Sequence, residues 1–395
     1  MIVALAALLA VQNVYYVLRP LLPHAIPRAL VALVDERRDL SEAEAAALSQ
    51  VEPDPDEDQT MIINMGPQHP STHGVLRLML ELQGETVLRC KPVIGYLHTG
   101  MEKTGEQLTY MQGGTNVTRM DYLSPLSNEL AFATAAEQLL DLELPERAIW
   151  MRMMLAELNR MSSHLLFQAT NGMDMGAVSM MIFGWREREE VLRVLEMITG
   201  LRMNHNFIRV GGLAADLPDG WQEAILDVCD IVEAGVADYD SILSENPIWQ
   251  ERLMGVGVLT TQQCLDLSIT GPLLRSTGYP WDLRKADPYC SYEKFDFEIP
   301  TRTEGDVYAR YLCRLDEMHE SVKIVEQCLE RLEPGAIMPE KMPRMLRTPP
   351  GEIYVRTEAP RGEYGVYLVS KGGNRPYRLK VRSACLSNLQ ALKHM

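Results

Sequence analysis

The chain has 395 residues, and 38 Lys+Arg stand against 54 Asp+Glu, a net charge of -16 with His neutral. A hydrophobic share of 46% against 23% charged residues excludes disorder over most of the length, which allows about two or three domains. The acidic excess, with no Lys/Arg-rich run, excludes a free-standing nucleic-acid binder, which needs a basic footprint to displace counterions from phosphates.

Residues 1 to 18 are apolar, but Gln12 and Asn13 interrupt the run and no Lys or Arg precedes it. A bilayer span needs about 20 apolar residues, and a signal peptide needs a basic start and a small-residue cleavage site. The segment reads as a helix packed on a partner or a core, with a membrane anchor as the alternative. Ser41 and Glu44 make a capping box for a short helix from Glu42 to Val51. Two prolines among repelling carboxylates then make residues 52 to 58 a solvated acidic linker.

From Gly74 to Pro92 the pattern turns two-periodic. Leu76, Leu78, Leu80 and Leu82 alternate with Arg77, Met79 and Glu81, and Val87, Arg89 and Lys91 follow Gln83-Gly84-Glu85, which predicts a β-hairpin with one apolar face. Residues 126 to 332 read as mainly helical. Pro145 suits the first turn of a helix running to about Phe167, and Gly200 closes another that begins near Met180. A third begins after Pro218-Asp219 and carries Ile225, Val228, Val232 and Val236.

The clearest helix spans 305 to 332, where Val307, Tyr311, Leu315, Met318, Val322, Val325, Leu329 and Leu332 keep one apolar stripe on a single face. Residues 270 to 302 carry Gly or Pro too often for either regular structure and predict a long ordered loop. Strands return after Gly351, at Tyr364 to Val369 and Tyr377 to Val381. The expected fold class is α+β, a central helical bundle flanked by small antiparallel β units at both ends. The expected divisions are 1–60 (helices and acidic linker), 61–125 (an N-terminal β domain), 126–335 (the bundle with its loop) and 336–395 (a C-terminal β segment).

Cysteines stand at 90, 229, 264, 290, 313, 328 and 385, and no two form a CxxC pair. Such a dispersed, odd set predicts reduced buried thiols and argues against a zinc or self-contained iron-sulfur site. Two histidines, His69 and His73, lie four apart in the loop Gly66-Pro-Gln-His-Pro-Ser-Thr-His-Gly74, where glycines and prolines fix the backbone. A histidine in such a turn is more often a hydrogen-bonded structural residue than a catalyst or ligand, so spacing alone leaves the purpose of the loop open.

Six stretches occur in order: Gly66-Pro-Gln-His-Pro-Ser-Thr-His-Gly-Val-Leu-Arg77, Gly95-Tyr-Leu-His-Thr-Gly-Met-Glu-Lys103, Arg119-Met-Asp-Tyr122, Gly172-Met-Asp-Met-Gly176, Arg209-Val-Gly-Gly212 and Arg356-Thr-Glu-Ala-Pro-Arg-Gly-Glu363. Together they resemble the D subunit of the bacterial NADH:quinone oxidoreductase, respiratory complex I, from about Met61 to about Leu392. The resemblance implies the hydrogenase large-subunit fold and a peripheral-arm protein on the cytoplasmic side of the cell membrane. Such a protein forms most of a quinone-reduction cavity beside an iron-sulfur cluster held by a sister subunit. A nickel-iron hydrogenase large subunit would need two CxxC pairs as soft sulfur ligands, and Arg119-Met-Asp-Tyr-Leu-Ser124 stands where the first would fall.

By the same resemblance, His73 and Tyr122 bind the quinone headgroup and Asp174 is the carboxylate bonded to the histidine; these three form the expected catalytic set. Reduced quinone is basic at both oxygens, so two donors across the ring are needed, and a buried carboxylate holds an imidazole protonated. Arg119, Asn204 and His205 are expected near the partner's cluster, where a cation stabilises the reduced state. Asn204 stands where relatives often carry a histidine, and Asn cannot titrate. Glu102 and Lys103 read as a local ion pair, worth under about 1 kcal/mol if exposed.

No cofactor is expected on this chain alone. Quinone is substrate, and NAD binding and the cluster belong to partner proteins. The implied partners are the cluster-binding B subunit, the C subunit, the membrane-embedded H subunit and the remaining complex I proteins. The first sixty residues lack a counterpart in the resemblance, and its pattern continues past Met395, so the C-terminal segment reads as truncated. Two alternatives remain at this level: a non-catalytic truncated paralogue acting in assembly, and the same protein in a ferredoxin- or deazaflavin-dependent quinone reductase.

Overall fold

The computed structural model describes residues 60–395 except 344. The apolar start, the Ser41 capping box and the acidic linker lie outside these residues. The described chain forms two compact units, one of residues 60–97 with Leu392–Met395, the other His98–Ala391.

In the smaller unit, β1 (Thr60–Met65), β2 (Arg77–Gln83) and β3 (Thr86–Val93) make an antiparallel sheet with β2 in the centre. The predicted hairpin is present. Gly84, at φ 60, turns the chain, Gln83 pairs with Thr86, and Leu78, Leu80 and Leu82 are all but fully buried. A one-residue slip would turn all three to the opposite face, so burial fixes the register. Pro92 is tolerated because β3 is an edge strand. Strand β1 is absent from the sequence reading, since Met61, Ile62 and Ile63 are consecutive apolar residues with no alternation to read.

The larger unit begins with α1 (Met101–Gln107), α2 (Tyr110–Val117), α3 (Pro125–Leu140), α4 (Glu146–Asp174) and α5 (Val178–Thr199). Pro145 is the N-cap of α4, but that helix runs to Asp174 rather than ending near Phe167. Gly172 does not stop it. The missing side chain admits Met180, whose Cβ would lie 2.4 Å from a Cβ at 172. Gly200 caps α5 in the left-handed conformation, φ 81, as the sequence predicts.

A minimal hairpin, β4 (Ile208–Arg209) and β5 (Gly212–Leu213), precedes α6 (Trp221–Tyr239) and α7 (Pro247–Leu253). Ile225, Val228, Val232 and Val236 are the buried face of α6. Between residues 270 and 302 the predicted loop is ordered, but it also contains single helical turns at Pro272–Arg275 and Leu283–Ala286. Helix α8 (Val307–Arg331) opens on Asp306, whose carboxylate accepts the Ala309 N–H at 2.8 Å. Its predicted apolar stripe is buried, with Leu329 only partly so, and Arg310, Arg314, Glu317 and Ser321 are buried as well. A single stripe underestimates a helix with neighbours on two sides.

The C-terminal sheet orders β6 (Gly351–Ala359), β7 (Gly362–Ser370) and β8 (Arg378–Arg382), all antiparallel, and α3 packs on β6 and β7. Helices and three small antiparallel sheets give the α+β class.

Candidate functional site

In the smaller unit, the loop from Gly66 to Gly74 is locked from within. Gly66 is left-handed at φ 81, and a Cβ there would sit 2.0 Å from the Leu76 carbonyl oxygen. The Thr72 hydroxyl donates to the carbonyls of Pro67 (3.1 Å) and His69 (3.0 Å). The structure separates the two histidines by task. His69 Nδ1 accepts the Ser71 N–H at 3.2 Å and caps the turn Pro70–Thr72. His73 closes that turn through its backbone N–H to the Pro70 carbonyl, in a left-handed conformation at φ 51, and is half-buried.

In the larger unit, Tyr122 stands between α2 and α3 on a turn built by Asp121. The Asp121 carboxylate accepts the Leu123 N–H (3.1 Å) and the Ser124 hydroxyl (2.9 Å), and Arg361 pairs with it. The Tyr122 hydroxyl oxygen is buried and has no hydrogen-bond partner among the described residues. Burial raises its pKa above the ordinary phenol value, so the group is a neutral O–H donor. Asp174, half-buried, is the last residue of α4. The turn after it lines a cavity of about 180 Å³ with Leu243, Trp249 and Arg252, and Arg252 donates to the Met175 carbonyl.

Arg119 is exposed at the end of α2, its guanidinium donating to the Thr115 carbonyl. Asn204 is left-handed, φ 55, and half-buried. His205 is buried, with Nδ1 2.9 Å from both the Thr199 hydroxyl and the Leu201 carbonyl. Burial lowers its pKa to about 4, so the ring is neutral near pH 7. The expected pair of Glu102 with Lys103 does not form. Glu102 bonds instead to Lys380 (3.0 Å) and the Val381 N–H (2.9 Å), and Lys103 bonds to Glu106 (3.0 Å).

The sequence reading missed an ionic network inside the bundle. Arg275 bonds to Glu317 (2.9 Å) and Glu358 (2.8 Å), Arg284 to Asp282 (2.7 Å) and Glu157 (3.1 Å), and Arg160 to Glu157 (3.0 Å), all fully or almost fully buried. Tyr292 and Ser321 add hydroxyl donors to Glu157. Burial alone would push Glu317 up, but Arg275 and His164 outweigh it and hold that carboxyl far below the usual range. His164, 2.8 Å from Glu317, is lowered by burial to about 4. Burial and the repulsion of Asp282 raise Glu358 to about 6. The signal was present in sequence: Glu157, Arg160 and His164 share one face of α4 by helical spacing.

Among the described residues, no group of three or more His, Cys, Asp or Glu could hold a metal ion, and no helix is long and apolar enough to cross a membrane. Residues 174–395 match the family described as respiratory-chain NADH dehydrogenase, 49 Kd subunit. The NADH-quinone oxidoreductase D subunit of Saccharopolyspora erythraea is 48% identical over 86% of this chain and 84% of its own length. The protein of that name from Acidothermus cellulolyticus is 50% identical over 84% and 85%, and that from Mycolicibacterium smegmatis 50% over 85% and 85%. With the α+β fold, these matches define the class as one component of an oxidoreductase complex. The chain belongs to the family of the 49 Kd subunit of the respiratory-chain NADH dehydrogenase.

Proposed function

We propose that this chain is the component of a proton-translocating NADH:quinone oxidoreductase that forms most of the quinone-reduction cavity and donates protons to the quinone. The observation that carries this reading is the Tyr122 hydroxyl, a buried donor with no acceptor among the described residues. A buried O–H without an acceptor costs about 1 to 3 kcal/mol, which a quinone carbonyl would recover. His73 is the second donor. The ring of His69 caps the turn, and His73 closes it through its backbone N–H.

Reduction of a quinone to the quinol takes two electrons and two protons. An iron-sulfur cluster on the sister B subunit would supply the electrons. As negative charge develops on the two oxygens, Tyr122 gives a proton to one and His73 gives a proton to the other, and the phenolate and neutral imidazole left behind take their protons back from water. Asp174 is the carboxylate that would pair with His73, and a proton leaving the ring would weaken that pairing. Arg119, with Asn204 and His205 beside it, faces the cluster. The protein works at the cytoplasmic face of the membrane against the B, C and H subunits, and NAD binds elsewhere in the complex.

The test is inhibitor-sensitive NADH:quinone reduction in membranes carrying His73→Ala, Tyr122→Phe or Asp174→Asn. Each variant is expected to assemble and to lose at least about tenfold in turnover with short-chain quinone. Parental rates in all three would defeat the reading.

A further inference from the structure

Glu129, on α3, is fully buried, and both its carboxylate oxygens are occupied. Oε1 accepts the Thr118 hydroxyl at 2.5 Å and the Asn206 N–H at 2.6 Å. Oε2 accepts the N–H groups of Phe207 at 2.8 Å and Ile208 at 2.9 Å. The donors come from two stretches far apart in sequence. Thr118 directly precedes Arg119 at the end of α2, and Asn206 directly follows His205. The same stretches touch again at Gly114, where a Cβ would lie 2.5 Å from Asn206 Oδ1. Only a carboxylate accepts all four bonds, because an amide at that place would aim its own N–H₂ at two of the donors. Burial pushes the Glu129 carboxyl up to about 7, and the four donated bonds, which favour its charged form, oppose that rise.

We propose that Glu129 is a positioning residue: its carboxylate clamps the stretch carrying Arg119 to the stretch carrying Asn204 and His205, and so fixes the two as one surface. That this surface faces the partner's cluster rests on the function proposed above. The clamp itself does not.

The experiment uses the purified complex and two readouts. Amide hydrogen exchange over residues 204–210 reads the clamp, and the redox potential of the partner's cluster with inhibitor-sensitive turnover reads its consequence. Glu129→Gln is expected to speed exchange at Phe207 and Ile208 by about tenfold or more, with Glu129→Asp between it and the parent. It is also expected to move the potential in the same direction as Arg119→Met. Should Glu129→Gln fail to assemble, Glu129→Asp makes the same test, since its shorter side chain cannot hold all four donors at once. Exchange unchanged in Glu129→Gln, or in Glu129→Asp where Glu129→Gln does not assemble, would overturn the clamp. Faster exchange with an unmoved potential, while Arg119→Met does move it, would overturn the positioning role and leave the proposed function standing. An unmoved potential in Arg119→Met as well would remove Arg119 from the cluster and the role of Glu129 with it.

Discussion

The guanidinium of Arg361 closes on the carboxylate of Asp121, a residue 240 positions earlier and the immediate neighbour of Tyr122. The same guanidinium donates to Ser124 Oγ (3.2 Å), Ser163 Oγ (3.4 Å) and Cys385 Sγ (2.9 Å), while the Arg361 carbonyl accepts from Asn388 at 3.1 Å. The turn that presents the phenol is therefore tied to the corner between β6 and β7. Two of the ordered sequence stretches meet here, for a structural reason that neither shows alone.

Arg361→Met should leave the Asp121 charge buried without its partner and cost about 3 to 5 kcal/mol, read by denaturant unfolding. Adding Asp121→Asn should recover part of the loss. Strictly additive effects of the two changes would show that the pair is uncoupled.

The buried network makes a similar demand with a built-in contrast. Arg275→Met strands Glu317 and Glu358 and should also cost about 3 to 5 kcal/mol. Arg202→Met removes an ion pair to Glu189 of equally short length, 2.7 Å, but both side chains are more than a third exposed, so the loss should stay under about 1 kcal/mol. Equal losses would mean that burial does not set the strength of these pairs.

His164 and His205 have folded pKa values near 4 against an ordinary 6.5. As pH falls below 6.5 the unfolded chain binds protons that the folded chain refuses, so each destabilises the fold progressively until pH 4. The shift, 6.5 minus 4, is 2.5 units, or up to about 3 kcal/mol per group. Glu129 and Glu358 act in the opposite sense, since their raised values stabilise the fold as pH drops from about 7 and about 6 towards 4.5. The informative quantity is thus a difference: the melting temperature of His164→Gln should fall less than the parent's between pH 6.5 and 4.5. Parallel curves would show that His164 titrates normally.

Gly184 sits where α5 crosses α4. An added Cβ would lie 2.8 Å from Ala169 Cβ and 3.0 Å from the Leu165 carbonyl oxygen. Alanine improves helix propensity by at most about 1 kcal/mol, whereas overpacking costs about 1 to 3 kcal/mol. Gly184→Ala should therefore lower the melting temperature, and a rise would mean that the two helices are not in contact there.

Local pattern was enough for the alternating leucines of β2, the valine face of α6, the Gly200 cap and the stripe of α8, because each is a periodicity that one stretch of chain expresses by itself. The ordered stretches likewise carried the family, and with it His73, Tyr122 and Asp174 as expectations. What periodicity could not supply is pairing across the sequence. Glu129 meets Asn206, Asp121 meets Arg361, and Arg275 meets Glu317 and Glu358 only once the helices are packed, and the same polar residues in isolation read as solvated faces. Even the unequal places of His69 and His73, four positions apart, were decided by the folded turn: the ring of His69 caps it, while His73 closes it through its backbone N–H in a left-handed conformation that spacing does not reveal.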